Sequence, residues 1–150
     1  MDVHGEQVPV SAEDLLTSFF VTAPVAGHPA IRARVPRVRA HLLTYLDTEA
    51  EDCLTNDELT LLHAERQVQP RDAVLRVVGA EALLVALPGF CHPAWLLPAV
   101  ADARAQLRIV SALRDRLAEE PLGADAVCLL LDVDAAVRRA QAVLDGSPAA

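Results

Sequence analysis

The segment from Val74 to Val100 constrains the fold most, because it is long, apolar and repeatedly interrupted. It reads VLRVVGAEALLVALPGFCHPAWLLPAV, and Arg76 and Glu81 are its only charged residues. From Ala82 to Ala101, 20 consecutive residues include no Lys, Arg, Asp or Glu, which is long enough for a membrane-spanning helix. The segment is interrupted by Pro88, Gly89, Pro93 and Pro98.

These interruptions argue against a membrane span. Proline inside a helix removes a backbone hydrogen bond and clashes with the preceding turn, and unpaired backbone groups are costly in hydrocarbon. We therefore predict that the segment is a buried core in water and disfavour a membrane partner. The expected form is two helices that meet at a hydrophobic corner over residues 87–93, one ending near Leu87 and the next beginning near Ala94.

Length and composition favour one all-α domain. The chain has 150 residues, of which 53% are hydrophobic and only 3% aromatic, so its core must be built mainly from Leu, Val and Ala. We predict a single bundle of about six helices over residues 11–145, with tails at 1–10 and 146–150. The first residues lack the apolar stretch of a signal peptide, and we expect a cytoplasmic protein.

Helix boundaries follow from capping signals and prolines. Ser11 is the expected cap of the first helix, and the motif from Thr55 to Glu58 is a capping box for the third. The second helix is predicted from residue 29 or 30 to Thr48, either kinked or divided at Pro36. Pro70 opens the fourth helix. The last two are expected over 94–119 and 124–144, although residues 127–133 would also suit a buried strand.

Four arginines crowd the start of the second predicted helix, and acidic residues follow its end. Because the helix dipole prefers acids at the start, a compensating group outside the helix is expected. One interpretation is that these charges are solvated and pair with charges on neighbouring elements. The other is a candidate face for an anion, a phosphate backbone or an acidic partner, which consists of Arg32, Arg34, Arg37 and Arg39. The net charge of −8 disfavours a general nucleic-acid binder, but it leaves a local basic face open.

Apolar residues repeat at spacings of three and four along the last two predicted helices. Such a repeat suits either an antiparallel helix pair or a seam between copies. The candidate seam comprises Leu96, Val100, Leu107, Val110, Leu130, Val133, Val137 and Leu144.

Signals for chemistry are sparse. The common phosphate-binding, zinc-protease and serine-hydrolase motifs are absent, and the three cysteines do not form a CxxC pair. We therefore predict no catalytic residues, no cofactor and no metal. Glu81 lies between apolar turns and, if buried, requires a partner such as an arginine. A candidate small-molecule pocket combines Glu81, Cys91, His92 and Trp95.

Residues 11–88 resemble the SAM-like core-binding domain of tyrosine recombinases. The matching pieces are the helix Leu15–Phe20, the stretch Ile31–Arg34 leading into His41–Leu46, Leu54-Thr55 before Ala64-Glu65-Arg66, and Gln69-Pro70. In that family this domain binds DNA through basic helices, while a second domain carries the catalytic Arg, His and Tyr residues. That second domain has no counterpart in this chain, so the resemblance implies a binding module without catalytic residues.

Three functions follow from these patterns. We favour a non-enzymatic interaction module that binds itself or another protein. Such a module would act as an adaptor or scaffold, and a regulatory role belongs to the same class. The first alternative is a DNA-binding accessory protein using the arginine face. The second is a small-molecule-binding bundle or small enzyme at the candidate pocket.

Overall fold

A computed structural model describes residues 10–146, and all regular structure in that range is helical. Two 3₁₀ turns, Arg32–Arg34 and Ala50–Cys53, flank the third helix. Eight α-helices are found among these residues: α1 (Ala12–Thr22), α2 (Pro24–Gly27), α3 (Val35–Glu49), α4 (Asn56–Val68), α5 (Ala73–Val77), α6 (Ala80–Phe90), α7 (Val100–Leu117) and α8 (Ala126–Leu144). The all-α prediction is confirmed, whereas the expected number of about six was too low.

The predicted caps begin α1 and α4. The Ser11 hydroxyl accepts a hydrogen bond from the Asp14 amide at 3.2 Å. In the α4 capping box, the Glu58 amide donates to the Thr55 hydroxyl at 3.2 Å, and the Thr55 amide donates to the Glu58 carboxylate at 3.0 Å. Because the first amides of a helix lack intrahelical partners, these contacts fix where each helix starts.

Proline sets the start of α3 rather than a kink within it. The helix begins at Val35, so Pro36 lies in the first turn, where a missing amide proton costs nothing. A short helix, α2, follows α1, and it starts with Pro24 for the same reason. Of the two alternatives for the stretch from residue 29 or 30, the division is therefore the one found, and it falls just before Val35.

The predicted fourth helix is also divided, at Val78 and Gly79. Val78 is extended, and its carbonyl accepts a hydrogen bond from the Ala12 amide at 2.8 Å. Pro70 opens a turn instead of a helix, since Asp72 adopts the left-handed conformation with φ of 54°. The division places the start of α1 against the junction of α5 and α6.

The hydrophobic corner is longer than expected and shifted toward the C-terminus. α6 continues through Pro88 to Phe90, and α7 begins only at Val100. Residues 91–99 form turns because residues before prolines disfavour the helical conformation. The predicted helix limits at Leu87 and Ala94 were therefore wrong.

The interrupted apolar segment forms the centre of the core. α6 lies against α1, α3, α7 and α8, and it buries Leu83, Leu84, Ala86, Leu87 and Phe90. α7 and α8 are antiparallel, because Arg104 pairs with Asp145 and Arg114 pairs with Asp134, at 2.8 and 3.0 Å. Residues 127–133, for which a strand was the alternative, belong to α8.

No helix between residues 10 and 146 combines the length and hydropathy needed to cross a membrane.

Candidate functional site

The arginine face is partly engaged inside the molecule. Arg34 and Arg37 donate to the two carboxylate oxygens of Asp102 at 2.5 and 2.6 Å. The Asp102 side chain is only 5% exposed and lies in the first turn of α7, so this acid compensates the crowded positive charge at the start of α3. Arg32 and Arg39 stay exposed, and the Arg39 guanidinium lies 5.6 Å from the centre of the Phe20 ring.

Asp102 is expected to make stability depend on pH. Hydrogen bonds from Arg34 and then Arg37 lower the pKa of Asp102 below its ordinary value of 3.8. The resulting stabilisation is fully present above that ordinary pKa and is lost as the pH falls through the lower folded-state pKa. Urea unfolding of the wild-type chain and of Asp102→Asn should therefore differ most near neutral pH and converge in acid.

The matched control for this experiment is Asp115→Asn. Asp115 also pairs with an arginine, Arg114, but its side chain is 75% exposed, and exposed ion pairs contribute little. We expect only a small effect at neutral pH. The role given to Asp102 would be contradicted if Asp102→Asn changed the free energy of unfolding at neutral pH as little as the control does. It would also be contradicted if the difference between Asp102→Asn and the wild-type chain persisted unchanged in acid.

Half of the candidate seam is used within the chain. Leu107, Val110, Val133 and Val137 are at most 5% exposed, because these residues form the packed surfaces of α7 and α8. Leu96, Leu130 and Leu144 are partly buried, and Val100 is exposed. The antiparallel pair that the repeat allowed is therefore intramolecular, and the four buried residues are not available to a second chain.

A different stripe of α8 faces solvent. Val127 and Leu131 are 64% and 57% exposed, and Cys128, Asp132 and Arg138 are exposed beside them. The residues that line this stripe recur at spacings of three and four, as the positions of a helix-pairing face do. We call it the outer stripe of α8 and define it as Val127, Cys128, Leu131, Asp132, Ala135, Arg138 and Ala142.

The members of the candidate pocket lie in three places. Glu81 is exposed, and its carboxylate accepts a hydrogen bond from the Gly123 amide, so its partner is a backbone group and not an arginine. Trp95 packs against Tyr45 and His41, with ring centres 5.0 and 5.4 Å apart. Cys91 and His92 remain together and line a separate cavity.

A buried glutamine holds the corner, and no sequence pattern had singled it out. Gln106 has no exposed surface. Its Nε2 donates to the carbonyls of Phe90 and Trp95 at 3.1 and 2.9 Å, and its Oε1 accepts from the Leu97 amide at 2.9 Å. His41 Nε2 donates to the same Trp95 carbonyl at 2.6 Å. These contacts satisfy backbone groups that the turns of residues 91–99 leave without helical partners.

The cavity beside the corner has a volume of about 340 Å³. Its walls come from the end of α6 and the turn after it on one side, and from the second half of α8 on the other. Pro88, Pro93, Ala140 and Val143 contribute apolar surface, while Cys91, His92 and Arg139 contribute polar atoms. This concave and mainly apolar surface with few polar groups is typical of ligand sites.

Two of the three thiols, those of Cys53 and Cys91, are unsuited to nucleophilic chemistry. Burial raises the pKa of Cys91 to about 12, and burial together with the charge of Asp52 raises the pKa of Cys53. A nucleophilic cysteine requires the opposite shift. Among residues 10–146, no three His, Cys, Asp or Glu side chains converge as metal ligands do.

Comparison with protein-family models, curated proteins and solved structures finds no match to this chain. The resemblance to the recombinase core-binding domain therefore stays a prediction.

Proposed function

We propose that the protein is a non-enzymatic helical interaction module that pairs with a second copy of itself through the outer stripe of α8. The observation that carries this proposal is the exposure of Val127 and Leu131, at 64% and 57%, on the helix face opposite the core. Large apolar side chains that cluster on a surface are typical of interaction sites. A cytoplasmic location is part of the same proposal, and fractionation of cells that produce the tagged chain would test it.

The charges of the stripe favour a second copy as the partner. Asp132 and Arg138 are exposed, and neither forms an ion pair within residues 10–146. They lie three residues before and three residues after Ala135. When two copies of α8 pack antiparallel about a two-fold axis at Ala135, Asp132 of each copy therefore lies opposite the partner's Arg138. An isologous interface of this kind is self-complementary.

The side chains near the axis permit close packing. Ala135 lies at the centre and Ala142 near one end, and such small residues let two helices approach each other. Leu131 supplies the largest apolar contact, next to the central alanine. Because one helix pair covers a small area, we expect a roughly micromolar dissociation constant.

Leu131→Asp is expected to weaken self-association at least about tenfold, because it places an unpaired charge in the interface. Sedimentation velocity at concentrations on the order of 1 to 100 μM measures the change. Leu61→Asp is the matched control, since Leu61 on α4 is also 57% exposed but lies outside the stripe. Equal association of both variants and the wild type would contradict the proposal, as would a wild-type chain that stays monomeric.

A charge exchange tests the antiparallel register. Asp132→Arg and Arg138→Asp should each weaken the dimer, because each creates two like-charge contacts across the axis. The double variant should recover association, since its charges are complementary again. The two residues are six positions apart in the helix, so they do not form an intrahelical pair. If the double variant did not recover self-association, this antiparallel register would be contradicted. The Leu131→Asp experiment would still decide whether the outer stripe mediates self-association.

A further inference from the structure

We propose that the cavity beside the corner binds a small amphipathic carboxylate, with the carboxylate at Arg139 and the apolar tail inside. The cavity and the outer stripe of α8 have no residue in common. The cavity is lined by α8 residues such as Ala136, Ala140 and Val143, whereas the stripe that we assign to self-association follows a neighbouring face of the same helix.

The apolar character of the walls defines the tail. Pro88, Pro93, Ala140 and Val143 line the space, and the Cys91 thiol lies among them as a neutral group, since burial raises its pKa to about 12. A neutral thiol behaves as a small apolar side chain. The volume of about 340 Å³ is near the lower end of the range for ligand pockets, roughly 300–1,000 Å³. A single unbranched chain fits this description better than a large ring system.

Two polar groups define the head. Arg139 is exposed, and it forms no ion pair within residues 10–146, so its guanidinium is free to bind a planar carboxylate with two hydrogen bonds. His92 also lines the cavity. Its Nδ1 accepts a hydrogen bond from the Ala94 amide at 3.1 Å, which leaves Nε2 as the ring atom that carries a proton in the neutral form and can donate to a ligand.

The residues that line the cavity determine which charge and which head group a ligand can have. No acidic side chain lines the cavity, so nothing there repels an anion or attracts a cation. One guanidinium and one imidazole donor match a carboxylate, which has two oxygens in a plane. A phosphate monoester would leave more oxygen atoms without donors.

Isothermal titration calorimetry with decanoate, below its micelle concentration, tests the assignment. We expect saturable binding to the wild-type chain, with affinity falling about fourfold for each methylene removed in the shorter octanoate and hexanoate. Decanol and decylamine should bind more weakly than decanoate. Tighter binding of decyl phosphate than of decanoate would overturn the carboxylate assignment, and absence of decanoate binding would overturn the site.

Matched variants locate the site. Arg139→Gln should lower decanoate affinity at least about tenfold, since a charge-assisted hydrogen bond is lost, and should leave decanol binding unchanged. Arg108→Gln is the control, because Arg108 is also exposed and forms no ion pair in the described range, but it lies outside this cavity. Equal losses for both variants, or none for Arg139→Gln, would overturn the role of Arg139.

Two further variants separate this site from the proposed dimer. Val143→Trp fills the mouth at a residue that is 45% exposed, and we expect it to reduce decanoate and decanol binding alike while the melting temperature is retained. Leu131→Asp should bind decanoate as the wild type does even if self-association is lost. Retained binding in Val143→Trp, or lost binding in Leu131→Asp, would place the ligand elsewhere.

Discussion

Gln106→Leu is expected to lower the free energy of unfolding by about 2 to 4 kcal/mol, because leucine keeps the volume and removes three hydrogen bonds. The Trp95 carbonyl would retain its bond from His41. The Phe90 carbonyl and the Leu97 amide would lose the partner that Gln106 provides, and each unsatisfied buried group costs about 1 to 3 kcal/mol. Urea unfolding followed by circular dichroism measures the difference.

The control for this change is Gln67→Leu. Gln67 is exposed near the end of α4, and surface substitutions of this kind change stability by less than about 0.5 kcal/mol. Gln106→Glu adds a second comparison, because it keeps the acceptor for Leu97 and loses the donor to Phe90 and Trp95. If Gln106→Leu were as mild as the control, the corner would not depend on this amide.

Gly89→Ala should be destabilising in the wild-type chain by about 1 to 3 kcal/mol, which is the usual cost of forcing extra atoms against a packed side chain. A Cβ atom at Gly89 would overlap the Tyr45 hydroxyl. That hydroxyl cannot easily move, because Tyr45 is 5% exposed and donates to the Ala86 carbonyl at 2.6 Å. Burial also raises the pKa of Tyr45 to about 12, so the group stays a donor.

The same substitution should lose its cost in a Tyr45→Phe background. Without the hydroxyl, the nearest tyrosine atom to the new Cβ is the ring carbon at 3.4 Å, which is an ordinary contact distance. Alanine is then free to express its higher helix propensity, worth up to about 1 kcal/mol. Tyr45→Phe alone should cost about 1 kcal/mol through the lost hydrogen bond.

Thermal unfolding of the two single variants and the double variant completes this double-mutant cycle. Gly27→Ala is the control, since a Cβ there meets nothing within 4 Å, and its effect should be small. An equal cost of Gly89→Ala with and without the Tyr45 hydroxyl would contradict the steric explanation.

Local signals were sufficient for part of the fold. The caps at Ser11 and Thr55 and the position of Pro36 gave three helix starts, because capping depends on residues within one turn. Helix breaks that depend on contacts with residues far away in the sequence could not be predicted from such local signals. The break at Val78 accompanies a hydrogen bond to Ala12. The helical apolar spacing continues across Val78, and Gly79 beside it was too weak a local signal to predict a break.

The candidate sites show the same difference between local and distant information. The crowded arginines indicated a compensating group outside the helix, but nothing in the sequence identified that group as Asp102, which is 68 positions from Arg34. On α8, the stronger Leu and Val repeat marked the face that packs inside. The outer stripe has the same spacing, yet alanine, cysteine and arginine at most of its positions are weak markers of an interface.

The unequal burial of the cysteines gives the unmodified chain a convenient spectroscopic handle. Cys128 is exposed on the outer stripe, Cys91 is buried, and Cys53 is intermediate. A maleimide dye or nitroxide spin label should therefore attach first at Cys128, without any engineered substitution. A reporter attached there would sense directly whether that side of α8 is covered or open to solvent.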